Sequence, residues 1–155
     1  MWPELKEEIE LELAQLQRLM NDFAELRKKV KNTDPDTIEL VALAGFLHTF
    51  YNGVENIFKR IVVQRDKEAS HGAFWHSQLL ERMAQASANH SPVISEEMRD
   101  LLRQYLNFRH VFRHAYSFEL QWRKMAPLVS ESSSAFQLLK EDLKKFIQKC
   151  GLGDK

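Results

Sequence analysis

One cysteine, four prolines and five glycines are all that a chain of 155 residues contains of these types. Cys150, alone, can neither close an internal disulfide nor build a cysteine-based zinc site, and a reducing compartment is the default. So little glycine and proline argues against a turn-rich all-β protein. An excess of charge of either sign is also missing. Lys+Arg and Asp+Glu both number 22, so a polyanion site has to be a local patch. The longest apolar run, Leu40 to Leu47, falls far short of the roughly 20 residues that cross a bilayer. The start, Met1-Trp2-Pro3-Glu4, lacks the basic-then-apolar layout of a signal peptide. What is present, 44% hydrophobic and 28% charged residues, suffices for a core. The expectation is one cytoplasmic domain with its core over about residues 5–148.

Apolar residues recur at helical spacing along most of the chain. Leu5, Ile9, Leu13, Leu16, Met20, Phe23, Leu26 and Val30 form one stripe of an amphipathic helix ending near Lys31-Asn32. Thr33 or Asp34 is expected to cap the next helix, with Pro35 in its first position. That helix carries Ile38, Val41, Ala44, Leu47, Tyr51, Val54, Ile57, Phe58 and Ile61. Gly45 and Gly53 within it suggest close helix packing. A loop over Arg65 to Gly72 precedes a short helix near Phe74 to Gln85, with Phe74, Leu79, Leu80 and Met83 facing the core. After a second loop, Ala86 to Pro92, Ser95 caps a long helix with Leu101, Leu102, Tyr105, Phe108 and Phe112 on its stripe. Pro127 is expected to end that pattern or open the next. A last helix spans about Ser134 to Gln148, with Phe136, Leu139, Leu143, Phe146 and Ile147 inward and Gly151 as its stop. The predicted architecture is all-α, an up-down bundle of about five helices.

A glycine-rich phosphate loop, an H-E-x-x-H and a G-x-S-x-G are all absent from the sequence. Charge is nonetheless uneven. Arg103, Arg109, Arg113, Arg123 and Lys124 stand against Glu119 alone in one window, with Tyr105, Phe108, Phe112, Tyr116, Phe118 and Trp122 interleaved. Such a mixture either holds a phosphate backbone and stacks bases or is a solvated basic face over a core stripe. On a straight helix Arg109 and Tyr116 point nearly the same way. His110 and His114 share a face, whereas Arg109 and His114 lie roughly 140° apart at about 100° per residue. Bringing those two together takes a kink, a helix end or a second copy of the segment. His110 and His114 are also at metal-pair spacing, but no acidic or cysteine ligand adjoins them. A metal site, and with it a metal-dependent hydrolase, is therefore disfavoured. Tyr51 and Glu55 share a face of the second helix. Either Glu55 is buried and needs a partner, for which an arginine is the obvious choice, or it lies on the surface beside a core tyrosine.

Arg109-His110-Val111-Phe112-Arg113-His114-Ala115-Tyr116 reads R-x-x-x-x-H-x-Y. This segment, with Tyr105-Leu106-Asn107-Phe108 before it, resembles the motif of HepT-like HEPN ribonuclease toxins. The upstream stretch Leu43 to Phe58 and the Trp75-His76 turn followed by Leu79-Leu80 are similar to the same family, so the resemblance spans roughly residues 5–148.

The resemblance implies a metal-independent ribonuclease without a cofactor, dimeric, with two motifs meeting at the dimer cleft. It also implies a minimal nucleotidyltransferase (MNT) antitoxin as partner. RNA substrates in this group include tRNA. Carried over, Arg109 and His114 are the catalytic pair. His110 takes the polar position after the arginine, where the family often has asparagine or aspartate. Tyr116 matches the tyrosine that the antitoxin adenylylates, and Arg113 is expected to contact backbone phosphates. These residue types suit the chemistry. Histidine, with an ordinary pKa near 6.5, can take or give a proton at neutral pH. A forked, permanent guanidinium fits the charge that gathers on phosphate oxygens. The alternative is a HEPN-like helical module that binds a nucleotidyltransferase or another protein without catalysis.

Overall fold

The computed structural model describes residues 2–66, 75–87 and 90–151. Among these, six α-helices and no strand are found: α1 (Trp2–Asp22), α2 (Ala24–Lys29), α3 (Thr37–Ile61), α4 (Trp75–Met83), α5 (Glu96–Phe112) and α6 (Trp122–Lys149). A π-helical turn, Val62–Asp66, extends α3, and a 3₁₀ turn, Ser117–Glu119, separates α5 from α6. The all-α bundle expected from periodicity is what forms. No described helix is long and apolar enough to cross a membrane.

Helix α3 is the central element and packs against α1, α4, α5 and α6. Its stripe explains that place, since Leu47, Phe50, Tyr51, Val54, Ile57, Phe58 and Ile61 are all buried. Leu5, Ile9, Leu16 and Met20 of α1 join one contiguous cluster with them, as do Leu79, Leu80 and Met83 of α4. Leu102 and Tyr105 of α5 and Phe136, Leu139, Leu143 and Phe146 of α6 complete it. Arg60 of α3 clamps α1 from outside through Glu8 and Glu12.

Several local expectations are corrected. The first stripe is bent rather than continuous. Phe23 leaves helical geometry (φ −102°, ψ 6°), although Phe23 N–H still donates to the Leu19 carbonyl and Arg27 N–H to that of Phe23. The Phe23 ring packs 5.1 Å from that of Phe46. The cap of α3 is Asp36, not Thr33 or Asp34, and Pro35 lies outside the helix. Of these candidates only Asp36 has a glutamate three residues on. Its carboxylate accepts from Glu39 N–H at 2.8 Å while Glu39 accepts from Asp36 N–H at 3.1 Å. Close packing holds at Gly53, where an added Cβ would lie 2.5 Å from Leu16 Cδ2, but not at Gly45, which has open space.

Ser95 caps α5 as expected, accepting from Met98 N–H at 3.0 Å. Pro127 neither ends nor opens a helix, because α6 starts at Trp122 and runs through it. The missing N–H frees only the carbonyl of exposed Arg123, which water can satisfy. Gly151, at φ 73°, stops α6 as expected. Phe74 and His71 lie outside the described residues.

Candidate active site

Arg109 sits in the last turn of α5, but its side chain turns inward between α3 and α4. Its Nε–H donates to Asn52 Oδ1 at 2.8 Å, and Nη1 lies 3.5 Å from His76 Nε2. Arginine carries only donors, so this contact fixes the groups behind it. With Oδ1 facing Arg109, the Asn52 amide nitrogen faces His48 and donates to its Nε2 at 3.1 Å. His48 is therefore the neutral Nδ1–H tautomer, and that Nδ1 is buried without a hydrogen-bond partner among the described residues. Burial, then the charges of Arg109 and Arg113, hold the His48 pKa below its ordinary value, in agreement with a neutral ring.

On the α4 side, His76 Nε2 accepts from Arg109, which leaves the proton on Nδ1. His76 Nδ1–H then donates to Glu55 Oε2 at 2.8 Å. Glu55 is 2% exposed. The open choice for this residue is thus resolved. Glu55 is the buried carboxylate, and its partner is a histidine rather than an arginine. Neighbouring Tyr51 is buried with its hydroxyl unpartnered among the described residues. Burial first, and then the Glu55 charge, push its phenol well above the usual range. The Trp75 and His76 rings are tilted by 31° with centroids 3.8 Å apart, and Lys59 Nζ of α3 lies 4.6 Å from the Trp75 ring centroid.

His48, Asn52 and Glu55 are spaced four and three apart, so they form a polar line on one face of α3. That spacing was a readable signal for the residues that hold Arg109. His76 has no comparable sequence signal, because it reaches the line from a different helix.

The other half of the motif is placed differently. Helix α5 ends at Phe112, and His114 and Tyr116 lie past it. Tyr116 N–H donates to Glu119 Oε1 at 2.7 Å instead of continuing the helical ladder. The expectation that Arg109 and Tyr116 share a straight helix face is therefore corrected. His114 is exposed and lines a cavity of about 630 Å³ between α5 and α6, with Asn107, Phe108, Gln121, Lys124 and Met125. Arg109 is not among its lining residues. His110 is exposed and keeps its shared face with His114, their rings 6.0 Å apart edge to face. Arg113 is exposed at the α5 terminus. Tyr116 and Phe118 stack at 5.3 Å and 5° while 70% and 81% exposed.

The basic, aromatic window thus divides. Tyr105 is core, its hydroxyl donating to the Leu128 carbonyl at 2.7 Å, and Arg103 pairs with Glu81 of α4. Arg109 is inward, while Arg113, Arg123 and Lys124 face solvent. No group of three or more His, Cys, Asp or Glu side chains suited to a metal occurs among the described residues.

Comparison with curated proteins and with solved structures gave no match. The family model described as HepT-like protein, however, matches residues 42–150, from the first turns of α3 to the end of α6 and across every side chain that holds Arg109. A match over well more than half of the sequence places the chain in the HepT-like family.

Proposed function

We propose that this protein is a metal-independent endoribonuclease, the toxin of a type VII-like HEPN/MNT toxin–antitoxin pair. In this reading it acts as a homodimer and cuts RNA, tRNA being one candidate substrate. The observation that carries the reading is the setting of Arg109 in a HepT-like chain. Its Nε is committed to Asn52, while Nη2 has no partner among the described residues and stays free for a phosphate oxygen. The 2′-hydroxyl of the RNA attacks the adjacent phosphorus, and the bond to the 5′-oxygen breaks. His114 takes the hydroxyl proton and His114 of the partner subunit protonates the leaving oxygen. Arg109 stabilises the charge on the pentacoordinate phosphate. His114 lines the α5–α6 groove rather than the Arg109 setting, which supports a cleft completed by a second chain. His110 and Arg113, exposed beside it, bind the RNA backbone.

Tyr116 is the proposed acceptor of AMP from an MNT-type nucleotidyltransferase antitoxin. Its 70% exposure supports access by such a partner and removes the reading of a core aromatic. The phosphate would arrive two residues from His114, adding bulk and negative charge at the edge of the cleft.

The test is cleavage of RNA by the purified protein in EDTA. Cleaved RNA is expected to carry a cyclic phosphate, or its hydrolysis product, at the new 3′ end. Activity lost on chelation and restored by a divalent ion contradicts the reading. So does a 5′-phosphate on the downstream fragment, which marks water as the nucleophile.

A further inference from the structure

Glu55, His76 and Arg109 make a line of three charged or titratable groups leading from the core to the free Nη2 of Arg109. The carboxylate is 2% exposed, and among the described residues its hydrogen bond is to His76 Nδ1, at 2.8 Å. The other ring nitrogen of His76 meets Arg109 Nη1 at 3.5 Å. The imidazole is thus interposed between a buried anion and the cation proposed to bind substrate. Its plane is set from outside by Trp75 at 3.8 Å, which in turn packs under Lys59.

A buried carboxylate without a partner is costly, and an arginine fork is the best available remedy. If the imidazole were removed, the free end of Arg109 would be drawn back onto Glu55 as a bidentate pair, away from solvent and substrate. Among the described residues Asn52 adds a single hydrogen bond, to Nε, which the planar fork would exchange as it swings toward Glu55. We propose that His76 is a positioning residue. It satisfies Glu55 in place of Arg109 and so keeps the guanidinium extended with Nη2 free. This deepens the ribonuclease reading and rests on it for the activity measured below, though not for the spectroscopic measurement.

The proposal predicts a suppression that loss of packing would not give. His76→Ala is expected to lower RNA cleavage at least tenfold, chiefly in kcat. The same change made together with Glu55→Gln is expected to cost less than threefold relative to Glu55→Gln alone, because the neutral amide no longer competes for Arg109. The Arg109 Nε–H signal in a ¹H–¹⁵N spectrum, assigned by its disappearance in Arg109→Lys, reports the same event without catalysis. It should shift in His76→Ala and return to its Glu55→Gln position in the double variant. If His76→Ala does not fold, His76→Phe, which keeps the ring and loses both nitrogens, takes its place in both comparisons. A wild-type protein that cuts no RNA defeats the ribonuclease reading and leaves the Nε–H measurement to judge the positioning. Equal losses of activity with and without Glu55→Gln overturn the proposal, as does an Nε–H signal indifferent to His76.

Discussion

Arg109 and His114 are five residues apart, yet they occupy opposite physical settings. Arg109 is tethered by α3 and faces His76 of α4, and a buried carboxylate lies behind that histidine. His114 stands beyond the end of α5, exposed, at the rim of a groove against α6. The first setting is preorganised by the fold of one chain, whereas the second leaves an imidazole exposed to whatever enters the groove. The difference teaches that a linear motif need not be a local site. In the proposed reaction one chain would fix the electrostatic half, and the acid–base half would gain its place from a second copy.

The largest expected effects lie on the chemistry. Arg109→Ala and His114→Ala should each reduce cleavage by about a hundredfold or more. Thermal melting should separate them. Arg109→Ala leaves Asn52 and His76 without their donor and should cost about 1 kcal/mol, a drop of a few degrees. His114→Ala should melt as wild type does. Equal melting shifts would erase the contrast between the two settings.

Next in size is Tyr116→Phe. The variant should cut RNA yet gain no AMP mass when co-expressed with a nucleotidyltransferase partner and ATP. A fully modified variant would place the acceptor elsewhere.

A smaller effect follows from His48 behind Asn52. Its folded pKa lies below the ordinary 6.5. Below that pH the unfolded chain therefore binds the extra proton first, and stability falls as the solution is acidified. Above pH 6.5 the contribution is constant. His48→Gln should flatten this part of the acid slope in denaturant titrations taken at several pH values. An unchanged slope would show that His48 is not held neutral by its neighbours.

The smallest pair of effects tests α3 as the platform of the fixed half. Gly45→Ala should raise stability by up to about 1 kcal/mol, the helix-propensity gain. Gly53→Ala meets Leu16 Cδ2 at 2.5 Å, so overpacking should cancel or reverse that gain. Equal gains at both positions would mean that α1 does not press on α3 there.

Much of the fold was legible because burial follows period. The stripe of α6 matched the buried residues, and so did that of α3 from Ala44 onward, whereas Ile38 and Val41 at its start are 81% and 39% exposed; Ser95 and Gly151 acted as cap and stop. The misses were places where local signals compete. Pro127 looked like a boundary, but a proline near an exposed first turn forfeits only a hydrogen bond that water can replace. Phe23 kept the apolar spacing and still bent the helix. At the site, the motif pointed to Arg109 and His114, and Glu55 stood out as a carboxylate on an apolar stripe. Its true partner, His76, lies 21 residues on and reaches Glu55 through the packing of α4 on α3, which sequence spacing does not encode.

The proposed cleft needs both chains. Its most direct test is a heterodimer purified through two different tags, one protomer wild type and the other carrying His114→Ala, assayed for RNA cleavage in EDTA against the wild-type homodimer. If base and acid come from the two copies of His114, the heterodimer should lose at least about tenfold, removal of a positioned acid or base being worth about a hundredfold or more. A heterodimer that keeps half of the wild-type rate would mean that each chain cuts alone, and would contradict the shared cleft.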